Sequence, residues 1–285
     1  MTQFGELAIS SIAWPGLYAR ADGGVTIYIA PSCQGAADRI QLSSGTRLAD
    51  ASEMSNDSHA AYEEGARLPR EPWRSPTDKE AESLIAAEIP KNMANAIAML
   101  KLPRELTDGF SQAIRNTDSD TLETDLLRKL AKICDLGKSV HCIGVNKNRA
   151  DLKTVTINRA INRLIGLHVD NWDNLELHSL HLSTNRICIN VGNSDRYFLF
   201  VPISLMDMAG LLAEDIGPHW QAPRRHTDLG RQFLARFPQV PTVRCRLAPG
   251  EAYIAPTENL MHDGSSLGQT ETDKQYTIRG HIRPV

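Results

Sequence analysis

Three side chains in this sequence have the types and spacing of a metal site. His168 and Asp170 stand two apart in Gly166-Leu167-His168-Val169-Asp170, and His262 closes Leu260-Met261-His262, downstream of Pro249-Gly250-Glu251. Two imidazoles and one carboxylate form the set that holds one face of a mononuclear non-haem Fe(II) and leaves the opposite positions open to substrate and O₂.

Alone, His-x-Asp says little, because chance supplies about one His-x-acid triplet in a chain with nine histidines and 34 acidic residues. The chain has two. His226-Thr227-Asp228 follows Pro223-Arg224-Arg225 and precedes Leu229, Phe233 and Leu234, the pattern of a loop entering a short helix capped by Thr227 or Asp228. That triplet reads as structural. His168-Val169-Asp170 instead lies between apolar runs, and in extended backbone the pleat puts His168 and Asp170 on one face and Val169 on the other.

The third ligand must come from a distant strand brought alongside. Arg246 to Pro256 reads as strand, tight turn at Pro249-Gly250, strand, and His262 follows a further short run. In the C-terminal run Gln275 to Pro284, alternation puts Thr277, Arg279, His281 and Arg283 on one face and Tyr276, Ile278, Gly280 and Ile282 on the other. Arginine pairs with a carboxylate through a planar fork, so one of these arginines could anchor a dicarboxylic cosubstrate.

The order His-x-Asp, distal His, then Arg on a closing strand resembles the Fe(II)/2-oxoglutarate-dependent dioxygenases, over roughly residues 140 to 285. The resemblance implies a double-stranded β-helix (jelly roll, cupin-like) core buttressed by helices, an α+β fold with a mainly β centre. It also implies Fe(II) on His168, Asp170 and His262, and 2-oxoglutarate held through Arg279, with Arg283 the alternative anchor; His281, on the same expected face, either contacts the cosubstrate or simply packs. Arg279 follows His262 at a longer interval than is usual in the family, which the polar run Gly264 to Lys274 absorbs as an enlarged loop. Family members that halogenate carry a small residue at the carboxylate position, so Asp170 implies oxygenation: hydroxylation of an unactivated C-H in a small molecule, with O₂ consumed and succinate and CO₂ as coproducts. Two other readings use the same residues: a cupin-type metalloenzyme that does not use 2-oxoglutarate, and a metal-free jelly-roll binding protein.

The elements that must position these residues divide the chain into residues 1–139, N-terminal strands and supporting helices, and 140–285, the core, expected together as one compact unit. Val25 to Ala30 reads as a strand. The polar cluster Ser52, Ser55, Asn56, Asp57 and Ser58, followed by Pro69, Pro72 and Pro76, reads as irregular connection. Leu84, Ile85, Ile89, Met93, Ile97 and Leu100 predict helix before Pro103, kinked or split at Pro90, and Asp120 to Ile133 predicts a second, ended by Gly137. Arg186 to Gly192 and Arg196 to Pro202 flank Asn193-Ser194-Asp195 as a hairpin. Residues 203–240 interrupt the strands with helix and loop. That insertion carries Trp220 and Arg225, which join Asn171 and Trp172 as substrate-selecting candidates.

A net charge of −3 on 285 residues argues against duplex nucleic acid as the substrate. Arg224, Arg225, Arg231 and Arg236 read as a solvated face or the rim of the substrate entrance. No run of about 18 apolar residues suggests a membrane span, and Met1 to Glu6 lacks a secretory start, so the expectation is a cytoplasmic protein. Five cysteines without a Cys-x-x-Cys pair suggest reduced core thiols at Cys142, Cys188 and Cys245. Glu176, His178 and His181 make a poor rival metal site, since on a strand positions 178 and 181 face opposite sides.

Overall fold

The computed structural model describes residues 14–20, 24–33, 39–55, 60–113, 120–137 and 139–285. The N-terminal start at residues 1–6, the polar residues 56–58 and His59 lie outside them. The first half contains α1 (Trp14–Arg20), β1 (Thr26–Ile29), β2 (Ile40–Leu42), β3 (Thr46–Leu48), α2 (Ala51–Met54), β4 (Arg67–Pro69), α3 (Asp78–Leu84), β5 (Ile85–Ala86), β6 (Ala96–Lys101), α4 (Arg104–Ala113), α5 (Asp120–Leu130) and β7 (Cys134–Leu136). The second contains β8 (His141–Asn148), β9 (Ile157–Asn158), β10 (Arg163–Leu164), β11 (Asn185–Asn190), β12 (Arg196–Ser204), α6 (Leu205–Ile216), α7 (His226–Arg236), β13 (Val243–Leu247), β14 (Glu251–Ala255), β15 (Leu260–Ser265), β16 (Asp273–Gly280) and β17 (Ile282–Pro284).

The fold is mixed α/β, with several helices around a large, mainly β core. A seven-stranded sheet runs β5-β1-β6-β14-β11-β16-β8, and a four-stranded sheet runs β15-β12-β13-β2. From β11 to β16 the chain alternates between them: β11 in the large sheet, β12 and β13 in the small, β14 back in the large, β15 in the small and β16 in the large. The turn at Pro249-Gly250 that joins β13 to β14 is therefore a crossing between sheets, with Gly250 at φ +80°. The two halves of the sequence are interleaved, since β2 pairs with β13 and β6 with β14.

Side-chain alternation builds three layers of core. Phe198 and Phe200 of β12 meet Cys188 and Tyr253 of the large sheet between the sheets. On the other face of β12, Leu199, Val201 and Ile203 pack under α6 and α7 with Phe233 and Leu234. Ile187, Ile189 and Ile278 face the opposite way, onto Leu106 of α4 and Leu126 and Leu130 of α5. Strands covered on both faces read as continuous apolar runs, which explains two corrections. The helix expected up to Pro103 is confined to α3, capped by Thr77 with Glu80, and Ile97 and Leu100 lie on strand β6 instead. The expected hairpin does not form: β11 and β12 belong to different sheets.

Smaller departures follow from local bonding. The second helix ends at Leu130, and β7 precedes Gly137. Helix α7 starts at His226 with Arg225 as its N-cap, so neither Thr227 nor Asp228 caps it. Cys142, Cys188 and Cys245 are free thiols on strands, as expected, the last two fully buried. Among the described residues no helix is long and apolar enough to cross a membrane.

Candidate metal centre

Gly166 to Asp170 runs antiparallel to β15 and is joined to it by a single β-bridge, His168 to His262. The His168 amide donates to the His262 carbonyl at 3.0 Å, the His262 amide donates to the His168 carbonyl at 2.8 Å, and the Asp170 amide donates to the Thr257 carbonyl at 3.1 Å. A pair bonded in both directions sets its side chains on one face, and the two imidazole centroids lie 4.7 Å apart. Leu167 and Val169 point the other way, into the core under α6 and α7. The alternation expected at 168–170 thus brings the three residues together.

Each imidazole is oriented by its own chain. The Nδ1 of His168 lies 3.0 Å from the Gly166 carbonyl oxygen, and the Nδ1 of His262 lies 3.0 Å from that of Leu260. A carbonyl only accepts, so each Nδ1 carries the proton and leaves the Nε2 lone pair free. Those Nε2 atoms stand 3.8 Å and 3.6 Å from the two oxygens of Asp170. All three ligand atoms fall within 4.8 Å of one another, within reach of one ion with bonds of about 2.0–2.2 Å.

The electrostatics favour the metal-binding protonation states of His262 and Asp170. Burial disfavours the imidazolium of His262 and pushes its pKa down to about 3. Burial also disfavours the Asp170 carboxylate, but Arg186, His262 and His168 outweigh it and hold that carboxyl well below the usual range. A neutral imidazole and an ionised carboxylate are the forms that take a metal.

Arg186 and Glu258 were not singled out by sequence. Arg186 on β11 is the register partner of Arg279 on β16, so both rise from one face, and its Nη2 bonds Asp170. The alternation of β11, which puts Arg186 on the face of Cys188, was the available signal. Glu258 is fully buried and bonds Arg279, whose Nη2 also lies 2.9 Å from Asp173. Arg279 sits 5.4 Å from the Trp172 ring centroid, and its Nη1 is buried with no partner.

His281 and Arg283 do not share that face. Strand β16 ends at Gly280, whose φ of +156° turns the chain, and β17 pairs with β7 instead. Arg283 consequently points to Asp135 at 3.8 Å, and His281 is exposed.

Of the substrate-selecting candidates, Trp172 is 60% exposed and Asn171 is exposed with a 3.4 Å bond to Asn174, both directly after Asp170. Helix α7 begins against the same segment, because the Val169 amide donates to the Thr227 hydroxyl at 3.1 Å. Arg225 is exposed at the start of that helix, 3.9 Å from Asp228, and Trp220 folds onto it through a 3.3 Å bond to Gln232. Arg231 and Arg236 are committed to Glu63 and Asp215. His178 and His181 lie on a 3-10 turn, Leu177–Leu182, rather than a strand, and both are exposed. Among the described residues only His168, Asp170 and His262 gather as a potential metal-binding group.

Gly166 is a constrained part of the centre. Its φ is +75°, and a Cβ there would fall 2.6 Å from the Arg67 carbonyl oxygen, while its own carbonyl orients His168. Gly166→Ala is expected to cost about 1–3 kcal/mol in urea unfolding and to weaken metal binding, read by titration with Mn(II). Unchanged stability would show that this backbone conformation is not needed.

No protein-family model matches the chain, and no curated protein sequence matches it.

Proposed function

We propose that the protein is an Fe(II)- and 2-oxoglutarate-dependent oxygenase that hydroxylates an unactivated C-H of a small molecule, such as an amino acid or a biosynthetic intermediate. The observation that carries the reading is the convergence of two Nε2 lone pairs and one carboxylate within 4.8 Å of one another, with both Nδ1 atoms already engaged. The alternation of β11 to β16 between two facing sheets supports it, being the order expected of a double-stranded β-helix.

The residues present fit both groups. His168, Asp170 and His262 would hold the iron, a donor set of imidazole and carboxylate suited to Fe(II). Arg279 has a buried Nη1 without an acceptor, which would take the distal carboxylate of 2-oxoglutarate. Iron and 2-oxoglutarate, when bound, supply oxidation by O₂ with release of succinate and CO₂. The chain's own part is to fix the ligands, hold the cosubstrate by Arg279 and keep His262 unprotonated. Trp172 and Asn171 flank the carboxylate ligand on the exposed side, where a substrate would enter.

Anaerobic titration with Fe(II) and 2-oxoglutarate tests the proposal through the weak visible charge-transfer band of a chelated keto acid. Its appearance in the wild-type chain and loss in His168→Ala are expected; bound iron without the band would remove 2-oxoglutarate from the reading. Asp173 competes for the same guanidinium, so Asp173→Asn should tighten 2-oxoglutarate binding by about fivefold in that titration. Weaker binding in this variant would show that Arg279 does not receive the cosubstrate.

One observation favours a second reading. Arg279 is already held by Glu258 and Asp173, as an arginine with a purely structural task would be. A cupin-type metalloenzyme that does not use 2-oxoglutarate fits that arrangement, and the same titration separates the two.

A further inference from the structure

We infer that the turn Thr257–Asn259 is the positioning element of the centre and that Glu258 acts in it by accepting the backbone amides that follow Asp170. The inference rests on the metal-binding reading above. Turns normally lie at the surface with their polar groups in water, yet Thr257, Glu258 and Asn259 are each 0% exposed. A buried carboxylate is costly unless its oxygens are satisfied.

The bonds of this turn run to the site and to its base. The Thr257 carbonyl accepts from the Asp170 amide at 3.1 Å. Glu258 accepts from the Trp172 amide at 3.1 Å and from the Asp173 amide at 3.0 Å, besides bonding Arg279. Asn259 secures the base: its side-chain amide donates to the Ala94 carbonyl at 3.1 Å, and its own carbonyl accepts from the Leu205 amide at 2.9 Å. His262 follows three residues later on β15. A single buried turn therefore grips the chain at 170, 172 and 173 and leads straight into the third ligand, fixing two ligand-bearing segments against each other. None of the Glu258 bonds belongs to a sheet ladder.

Groups that orient a metal ligand from behind typically contribute 10–100-fold to metal affinity. Glutamine at 258 retains an acceptor for both amides, alanine retains none, and both lose the ion pair with Arg279. The difference between Glu258→Ala and Glu258→Gln therefore separates hydrogen-bond acceptance at residue 258 from its charge, and exchange of the Trp172 and Asp173 amides assigns that acceptance to them.

The test measures Mn(II) affinity, hydrogen exchange of the Trp172 and Asp173 amides, and urea unfolding in the full chain. Glu258→Ala should bind Mn(II) about 10–100-fold more weakly and exchange faster locally at 172 and 173. Glu258→Gln should return to within about threefold of wild type with those amides protected. The inference is overturned if Glu258→Ala binds Mn(II) like wild type, if Glu258→Gln is as weak as Glu258→Ala, or if exchange accelerates evenly along the chain as in ordinary destabilisation. If the wild-type chain binds no Mn(II), the metal reading fails, and the exchange pattern alone decides the task of Glu258.

Discussion

His262→Ala is expected to bind Mn(II) or Fe(II) more than about 100-fold less tightly than the wild-type chain and to lose 2-oxoglutarate-dependent turnover, while still unfolding cooperatively. The imidazole is 3% exposed, lies 6.0 Å from the Phe198 ring and is one of the three groups close enough together to hold an ion. Its loss should exceed that of an outer partner, because it removes one of the three groups that would hold the ion directly. The vacated space costs stability as well, about 2–4 kcal/mol for a ring of this size. A domain stable by about 5–15 kcal/mol survives that, so loss of binding can be told from loss of fold by urea unfolding of the same sample. Metal affinity equal to wild type would mean that the ion, if any, is held elsewhere.

Asp170→Ala has a second consequence that the ligand motif alone does not suggest. By sequence Asp170 is a metal ligand only, and removing it should spare the fold. In the structure its carboxylate is also the counter-ion of Arg186, whose side chain is 15% exposed and whose Nε has no partner. Removing one member of a buried pair leaves the other charge uncompensated, at about 3–5 kcal/mol, whereas replacing both by apolar groups is often close to neutral. Asp170→Ala should therefore unfold at markedly lower urea than wild type, and Asp170→Ala/Arg186→Met should regain most of the difference without regaining metal. Equal stability of the single and double variants would sink the claim that Arg186 depends on Asp170.

The convergence of His168, Asp170 and His262 was legible because the information was local: a spacing of two on an extended segment fixes which side chains share a face. His262 needed only a strand brought alongside. Arg186 and Glu258 were not legible, since what makes them part of the site is register across β11 and β16 and burial of a turn between β14 and β15. The failure at Ile97 and Leu100 has the same origin, because an apolar run covered on both faces has no period to read. Alternation misled at His281 and Arg283 for the opposite reason: it was extended past Gly280, where the strand ends.

The pairing of β2 with β13 also sets the order in which this chain can mature. The bond between Arg244 and Gln41 closes across 203 residues, and β6 waits in the same way for β14. Pairings this distant give a high contact order and slow folding, since loop closure must precede the contacts that reward it. During synthesis β2 lacks β13, and β6 lacks β14, until residues 243–255 have left the ribosome, so low temperature and chaperones should raise the yield of folded protein more than they do for a helical protein of the same size.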